Sequence, residues 1–322
     1  MQAKLTELKT LLTEASDLRA AQWVLDWDQS TYMPAGGAPA RARHAALLAR
    51  LAQERATDPR IGHLLDELQP YTESLPDEHP EAALVRVARR DYERNIKVPP
   101  AFMGQVYQLG AETYSLWAKA RPENDFAALQ PNLERILDNS RKLADFFPGY
   151  EHIADPLINY ADYGMKATTL RQLFTELRKE LVPLVQQITT LPPADDSCLH
   201  RQFDKAGQLR IGEELARLVG YDFERGRLDL THHPFTTRFS DGDVRITTRV
   251  NETDLSDCLF SVIHEAGHAM YEQGIRPDFN ATPLGTGTSA GVHESQSRLW
   301  ENLVGRRLDF WVYAYLRLQA AF

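Results

Sequence analysis

Two histidines four residues apart, His264 and His268, with Glu265 between them, are the residues of this sequence whose types and spacing most directly specify chemistry. Four residues is just over one helical turn, so on a helix the two imidazoles share a face and can converge on one ion. Glu265 follows the first histidine too closely to join that coordination comfortably. Its place suits a carboxylate that takes a proton from a metal-activated water, as in the HExxH pattern. A match to that pattern arises by chance on the order of once per hundred chains of this length, so the surrounding sequence has to support it. Two histidines also need a third ligand, because a catalytic zinc keeps three protein ligands and one open position, and two His with one Glu is a set used for peptide hydrolysis. Glu294, in the second segment VHESQSRLWENLVGRRL, is the choice. Glu301 and His293 compete with it, but His293 points about 100° away around the helix, and Glu301 is better suited to orient a ligating imidazole from behind.

These side chains need helices to hold them. In SDCLFSVIHEAGHAMYEQG, the residues Leu255, Cys258, Leu259, Val262, Ala266, Ala269 and Met270 follow the helical period and form the buried stripe, leaving the histidines on the other face; Gly274 is placed to end the helix. Helical periodicity also runs through Leu5 to Asp26, Arg41 to Ala52 and onward from Thr168, with breaks at residues 71–80, 98–100 and 191–197. The strand pattern is confined to Thr237 to Phe239 and Val244 to Val250 around Asp241-Gly242, which reads as a hairpin whose exposed edge could hold an extended peptide. The expected architecture is mainly α: one metallopeptidase domain over 1–322, with a helical lobe at 1–200 and the hairpin plus zinc-binding helices at 201–322.

Composition narrows the partners. A net charge of −9, from 36 Lys plus Arg against 45 Asp plus Glu, argues against an electrostatic nucleic-acid footprint and against an anionic membrane surface. No apolar run approaches the roughly 20 residues that span a bilayer. Cys198 and Cys258 are the only cysteines, too few for a disulfide framework, and the N-terminal segment lacks the pattern of an export signal, so a reducing cytoplasm is expected.

HEAGH, the loop PLGTGTSAG and HESQSRLWEN together resemble the carboxypeptidase Taq family of metallocarboxypeptidases, family M32. The family's HPF motif matches His233, Pro234 and Phe235; its DxRxT motif matches Asp243, Arg245 and Thr247; LDWDQSTYMP near the N-terminus agrees as well. The resemblance implies a mainly helical fold with a long cleft, a zinc or cobalt ion, a homodimer, and release of single residues from peptides with a free C-terminus. One departure is that the family's later IRxxAD motif has no counterpart, and the expectation is a chain truncated at its C-terminal side. Two alternatives follow: a catalytically impaired metal-binding homologue, or an endo-acting zinc oligopeptidase. Arg245 is read as a structural ion pair with Asp243 or another surface acid in preference to a cation for the substrate carboxylate, His232 as incidental, and His233 as packing or substrate contact. Trp23, Trp27, Trp117 and Trp300 are read as core.

Overall fold

A computed structural model describes residues 1–322 as a mainly helical fold. Six helices build the first part: α1 (Gln2–Thr31), α2 (Ala38–Ala56), α3 (Pro59–Thr72), α4 (Pro80–Asn95), α5 (Pro100–Ala120) and α6 (Phe126–Asp145). Proline occupies the first turn of α2 through α5, where a missing N–H costs nothing and a fixed φ favours the helix. The buried face of α2 carries Ala42, Ala45, Ala49, Ala52 and Ala56 at alternating spacings of three and four. Side chains this small let α1 and α5 pack closely on it. A larger apolar cluster joins α1, α3 and α4 through Leu5, Leu8, Ile61, Leu64, Leu68 and Val85; each such side chain, fully buried, contributes roughly 1.5–3 kcal/mol.

The chain continues through α7 (Asp155–Ala161), α8 (Ala167–Thr189) and α9 (Lys205–Val219) into a three-stranded sheet of β1 (Leu228–Leu230), β2 (Thr236–Ser240) and β3 (Asp243–Thr248). β2 and β3 form the expected antiparallel hairpin, and β1 adds in parallel on the far side of β3 in the order β1-β3-β2. The period-2 signal of β1 spans only three residues, too few to register in sequence. Two motifs lock the hairpin: Thr247 Oγ1 donates to Phe235 O at 2.9 Å and accepts from Phe235 N at 2.8 Å.

Four helical segments complete the fold: α10 (Leu255–Gln273), α11 (Ala290–Arg298), a π-helical stretch (Leu299–Val304) and α12 (Leu308–Ala321). Asp254 and Ser289 cap α10 and α11 by accepting backbone N–H groups. The stripe expected on α10 is the core of this half: Cys258, Val262, Ala266 and Ala269 pack against Val244, Ile246, Ala216 and Tyr221, while Met270 is half-buried. Gly274 ends α10 as expected, but in a right-handed conformation (φ −82°) and not the left-handed one that glycine often supplies.

The tryptophans divide. Trp27 is buried, and Trp117 and Trp300 are half-buried, in keeping with the core reading. Trp23 corrects it: it is 40% exposed and lines the main cleft, because α1 presents that face to open space and not to another helix. Arg245 has the structural role expected of it. Its guanidinium binds both oxygens of Asp243 at 2.8 Å and stacks 4.3 Å from the centre of the Trp27 ring, tying α1 to the sheet.

Candidate metal centre

α10 and α11 run antiparallel, since His293 meets His268 at one end of the contact and Glu301 meets His264 at the other. Gly267 permits this approach. A Cβ on it would fall 2.8 Å from Ser297 Cα and 2.9 Å from Gln296 O, both backbone atoms that cannot swing aside. Glycine inside a helix costs about 1 kcal/mol relative to alanine, so its presence between the two histidines is a signal of close packing that the sequence reading passed over. Gly267→Ala should lower stability by about 1–3 kcal/mol through overpacking and weaken metal binding by displacing α11. Thermal unfolding and chelator competition on the same variant measure both; an unchanged Tm together with unchanged affinity would contradict the close approach.

The contact brings together the three residues selected from sequence as ligands. One ligand atom from each of His264, His268 and Glu294 lies within 4.8 Å of the other two. Glu294 Oε2 is 3.2 Å from His268 Nε2 and 3.8 Å from His264 Nε2. Donor atoms around a tetrahedral ion with bonds of about 2.0–2.2 Å are separated by roughly 3.3–3.6 Å, so the set fits a divalent metal.

The groups behind the donors fix which atoms face the site. His264 Nδ1 is 2.9 Å from Glu301 Oε2, and because a carboxylate only accepts, Nδ1 carries the proton and Nε2 keeps its lone pair. Glu301 is itself held by Arg298 at 3.0 Å and Arg306 at 2.8 Å. A second chain orients His268: its Nδ1 lies 2.7 Å from His293 Nδ1, and His293 Nε2 lies 2.8 Å from Glu272 Oε1. Glu272 accepts from His293 Nε2–H, which leaves His293 Nδ1 to accept from His268 and frees His268 Nε2 for the ion. The sequence favours a hydrogen-bonded structural role for His293 over an orienting or substrate-binding one and gives no signal for Glu272; the structure places both behind His268. Glu272 sits eight residues after His264, two helical turns along α10, but lies toward the buried side, where only tertiary contacts reveal its partner. Gly287 completes the arrangement, because a Cβ there would meet His293 Cδ2 at 2.5 Å.

Electrostatics agree with ligand readiness. Burial, with the neighbouring His293 and His264, pushes His268 down to about 4, so its imidazole is neutral near pH 7. Partial burial acts to raise Glu294, but the hydrogen bond from Arg298 and the two imidazoles outweigh it and hold the carboxyl below its ordinary range. The Arg298 bond goes to Oε1 at 2.8 Å and leaves Oε2 to the histidines. Glu265 is almost fully buried and burial raises it to about 7, opposed by a hydrogen bond donated by Thr236 Oγ1 at 2.7 Å. Thr236 directly follows the HPF segment, so the hairpin positions this carboxylate.

A cleft of about 870 Å³ opens on this group. His268 and Glu294 line it together with Thr236, Thr237 and Arg238 of β2, one of the two edge strands of the sheet. His233 is exposed in the loop before β2, and the His232 carbonyl accepts from Arg121 at 3.3 Å; neither histidine joins the group of donors.

Comparison with known proteins gives the chain its family. The family model for carboxypeptidase Taq (M32) metallopeptidases matches residues 7–322. Thermostable carboxypeptidase 1 of Thermus thermophilus is 40% identical over 307 residues, covering 92% of this chain and 60% of its own length. Carboxypeptidase 1 of Bacillus subtilis is 34% identical over 316 residues, with coverages of 98% and 63%. The crystal structure of an M32 carboxypeptidase from Deinococcus radiodurans superposes with a TM-score of 0.85 at 47% identity, covering 99% of this chain and 64% of that one. The chain thus spans about three-fifths of the length of the curated relatives it matches. Motifs, fold and sequence relatives agree, and the chain belongs to the carboxypeptidase Taq (M32) family of metallopeptidases.

Proposed function

We propose that this chain carries the metal-dependent machinery of a carboxypeptidase that hydrolyses C-terminal residues from peptides, with His264, His268 and Glu294 as metal ligands and Glu265 as general base. The observation that carries the reading is the convergence of those three donors beside a buried carboxylate at the edge of an open cleft, in a chain of this family. A divalent ion held there, zinc or cobalt, supplies Lewis-acid polarisation of the scissile carbonyl and makes water acidic enough to be deprotonated near neutral pH. Glu265 takes the proton from the attacking water on its carboxylate and returns it to the departing amine. Thr236 holds one oxygen of that carboxylate, leaving the other for the proton. The β2 edge offers main-chain groups to an extended peptide.

The same reading takes residues 1–322 as one catalytic domain, with a helical lobe at 1–200 and the hairpin and metal helices at 201–322. Separate apolar clusters support it, one on α1, α3 and α4 and others on α9, β3 and α10. A cytoplasmic setting fits two free cysteines, one of them buried, and no helix of the chain is long and apolar enough to cross a membrane.

A second reading, metal binding without turnover, is favoured by one feature. Leu173, Phe174, Leu177, Leu181, Leu184 and Ile188 form an apolar stripe along α8 that is exposed, as are Leu308, Val312 and Leu316 on α12. Amphipathic faces of this kind are normally covered, by further polypeptide or by a second copy in the homodimer that the family resemblance implies. The decisive assay is incubation of purified, metal-loaded protein with an unblocked peptide and with its C-terminal amide, with bound metal measured in the same sample. Sequential release of amino acids from the free-acid peptide alone is expected. Cleavage of the amide would replace the reading with an endo-acting oligopeptidase, and stoichiometric metal without release would establish the second reading.

A further inference from the structure

The cleft that opens on the candidate metal centre is lined elsewhere by three arginines, Arg19 of α1 and Arg90 and Arg94 of α4. The one carboxylate within ion-pair distance of any of them is Asp91, whose Oδ1 is shared between Arg90 Nε at 3.0 Å and Arg94 Nη2 at 3.4 Å. Arg19 is half-buried and makes no hydrogen bond and no ion pair, and Arg94 Nε is buried without a partner. Aromatic rings hold two of the three in place: Arg94 lies 4.1 Å over Tyr160 and Arg90 lies 4.8 Å over Tyr163. In a chain of net charge −9, three guanidinium groups in one cleft with a single carboxylate among them call for a reason.

From this juxtaposition we propose that Arg19, Arg90 and Arg94 form a carboxylate-binding subsite of the cleft, which takes an acidic group of the bound peptide. Guanidinium forks match carboxylate geometry in paired, charge-assisted hydrogen bonds. A half-buried cation without a counter-ion is partly desolvated, and an incoming carboxylate offsets that cost. Burial pushes the Arg19 guanidinium below the ordinary arginine range, partly offset by Tyr107 and Asp91, with Arg94 pushing in the same direction as burial. The subsite rests on the reading of the cleft as a peptide site, and it gives that reading a substrate preference. The carboxylate has two sources, an Asp or Glu side chain of the peptide or its free C-terminus.

Calorimetric titration of the metal-free chain separates these possibilities without depending on turnover. The probes are an unblocked pentapeptide carrying one Glu, the same peptide with Gln, and the Glu peptide amidated at its C-terminus. The Glu peptide should bind about tenfold more tightly than whichever analogue has lost the recognised carboxylate. If the Gln analogue weakens, the side chain is the ligand; if the amide weakens, the terminus is. Arg19→Met should abolish that difference without lowering Tm, because the variant removes an unpaired charge, and Arg19→Lys should restore part of it. Equal binding of all three peptides, binding of none, or a preference that survives Arg19→Met overturns the subsite. Turnover without discrimination would remove the subsite and leave the carboxypeptidase reading standing; discrimination without turnover would do the reverse.

Discussion

Glu265→Gln should retain stoichiometric metal and lower peptide turnover by about 10²–10⁴-fold, the range supplied by a positioned general base. The substitution is nearly isosteric. Its amide oxygen still accepts from Thr236 Oγ1, now 2.7 Å from the carboxylate, and the variant removes a charge from an almost fully buried site. Folding should therefore be preserved, with Tm equal to or above that of the parent chain. The loss should appear in kcat and not in KM, because in the proposed role Glu265 moves a proton in the transition state and does not hold the ground-state peptide. Metal analysis of the purified variant, run beside the turnover assay, checks both halves. Loss of metal would mean that Glu265 is part of the coordination, and turnover within tenfold of the parent would assign the base elsewhere.

Glu294→Ala addresses the ion itself. Removing one of three protein donors should reduce metal affinity by more than the roughly 10–100-fold that loss of an outer partner costs. Glu301→Gln, which keeps all three donors and disturbs only the acceptor behind His264, should fall within that smaller range. The side chain of Glu294 is 46% exposed and its partner Arg298 is 53% exposed, so breaking their pair should change the stability of the metal-free chain by no more than about 1 kcal/mol. The contrast is then visible in thermal unfolding as well. A ligand that binds only the folded state raises Tm in proportion to the logarithm of its concentration over its Kd. Added zinc should raise the Tm of the parent strongly, that of the Glu301 variant less, and that of the Glu294 variant least. Equal affinities in the parent and Glu294→Ala would exclude Glu294 as a ligand.

Much of this centre is legible in the chain because its pieces are local. The helical period that buries Cys258, Val262 and Ala266 is the same period that sets His264 and His268 on one face, so a single pattern specifies both the core of α10 and the pair of donors. Glu294 and Glu301 are seven residues apart, two helical turns, which places one near the donors and the other behind His264. The hairpin follows from Asp241-Gly242 and its flanking alternation. Trp23 was misjudged because an aromatic on an amphipathic helix looks alike in sequence whether the facing space holds another helix or a cleft.

By itself, then, the sequence determined the helical class, the hairpin, the candidate metal ligands and the family, all of which depend on composition and on spacings within a few turns. The tertiary structure alone decided how those pieces meet. It showed that Gly267 lets α11 approach α10, that Thr236 of the hairpin holds Glu265, that Glu272 orients His268 through His293, and that Arg19 shares a cleft with Glu294. Each of these joins residues on different helices or strands, or residues whose link runs through a third side chain. Periodicity gives the face on which a side chain lies; only packing determines what that face meets.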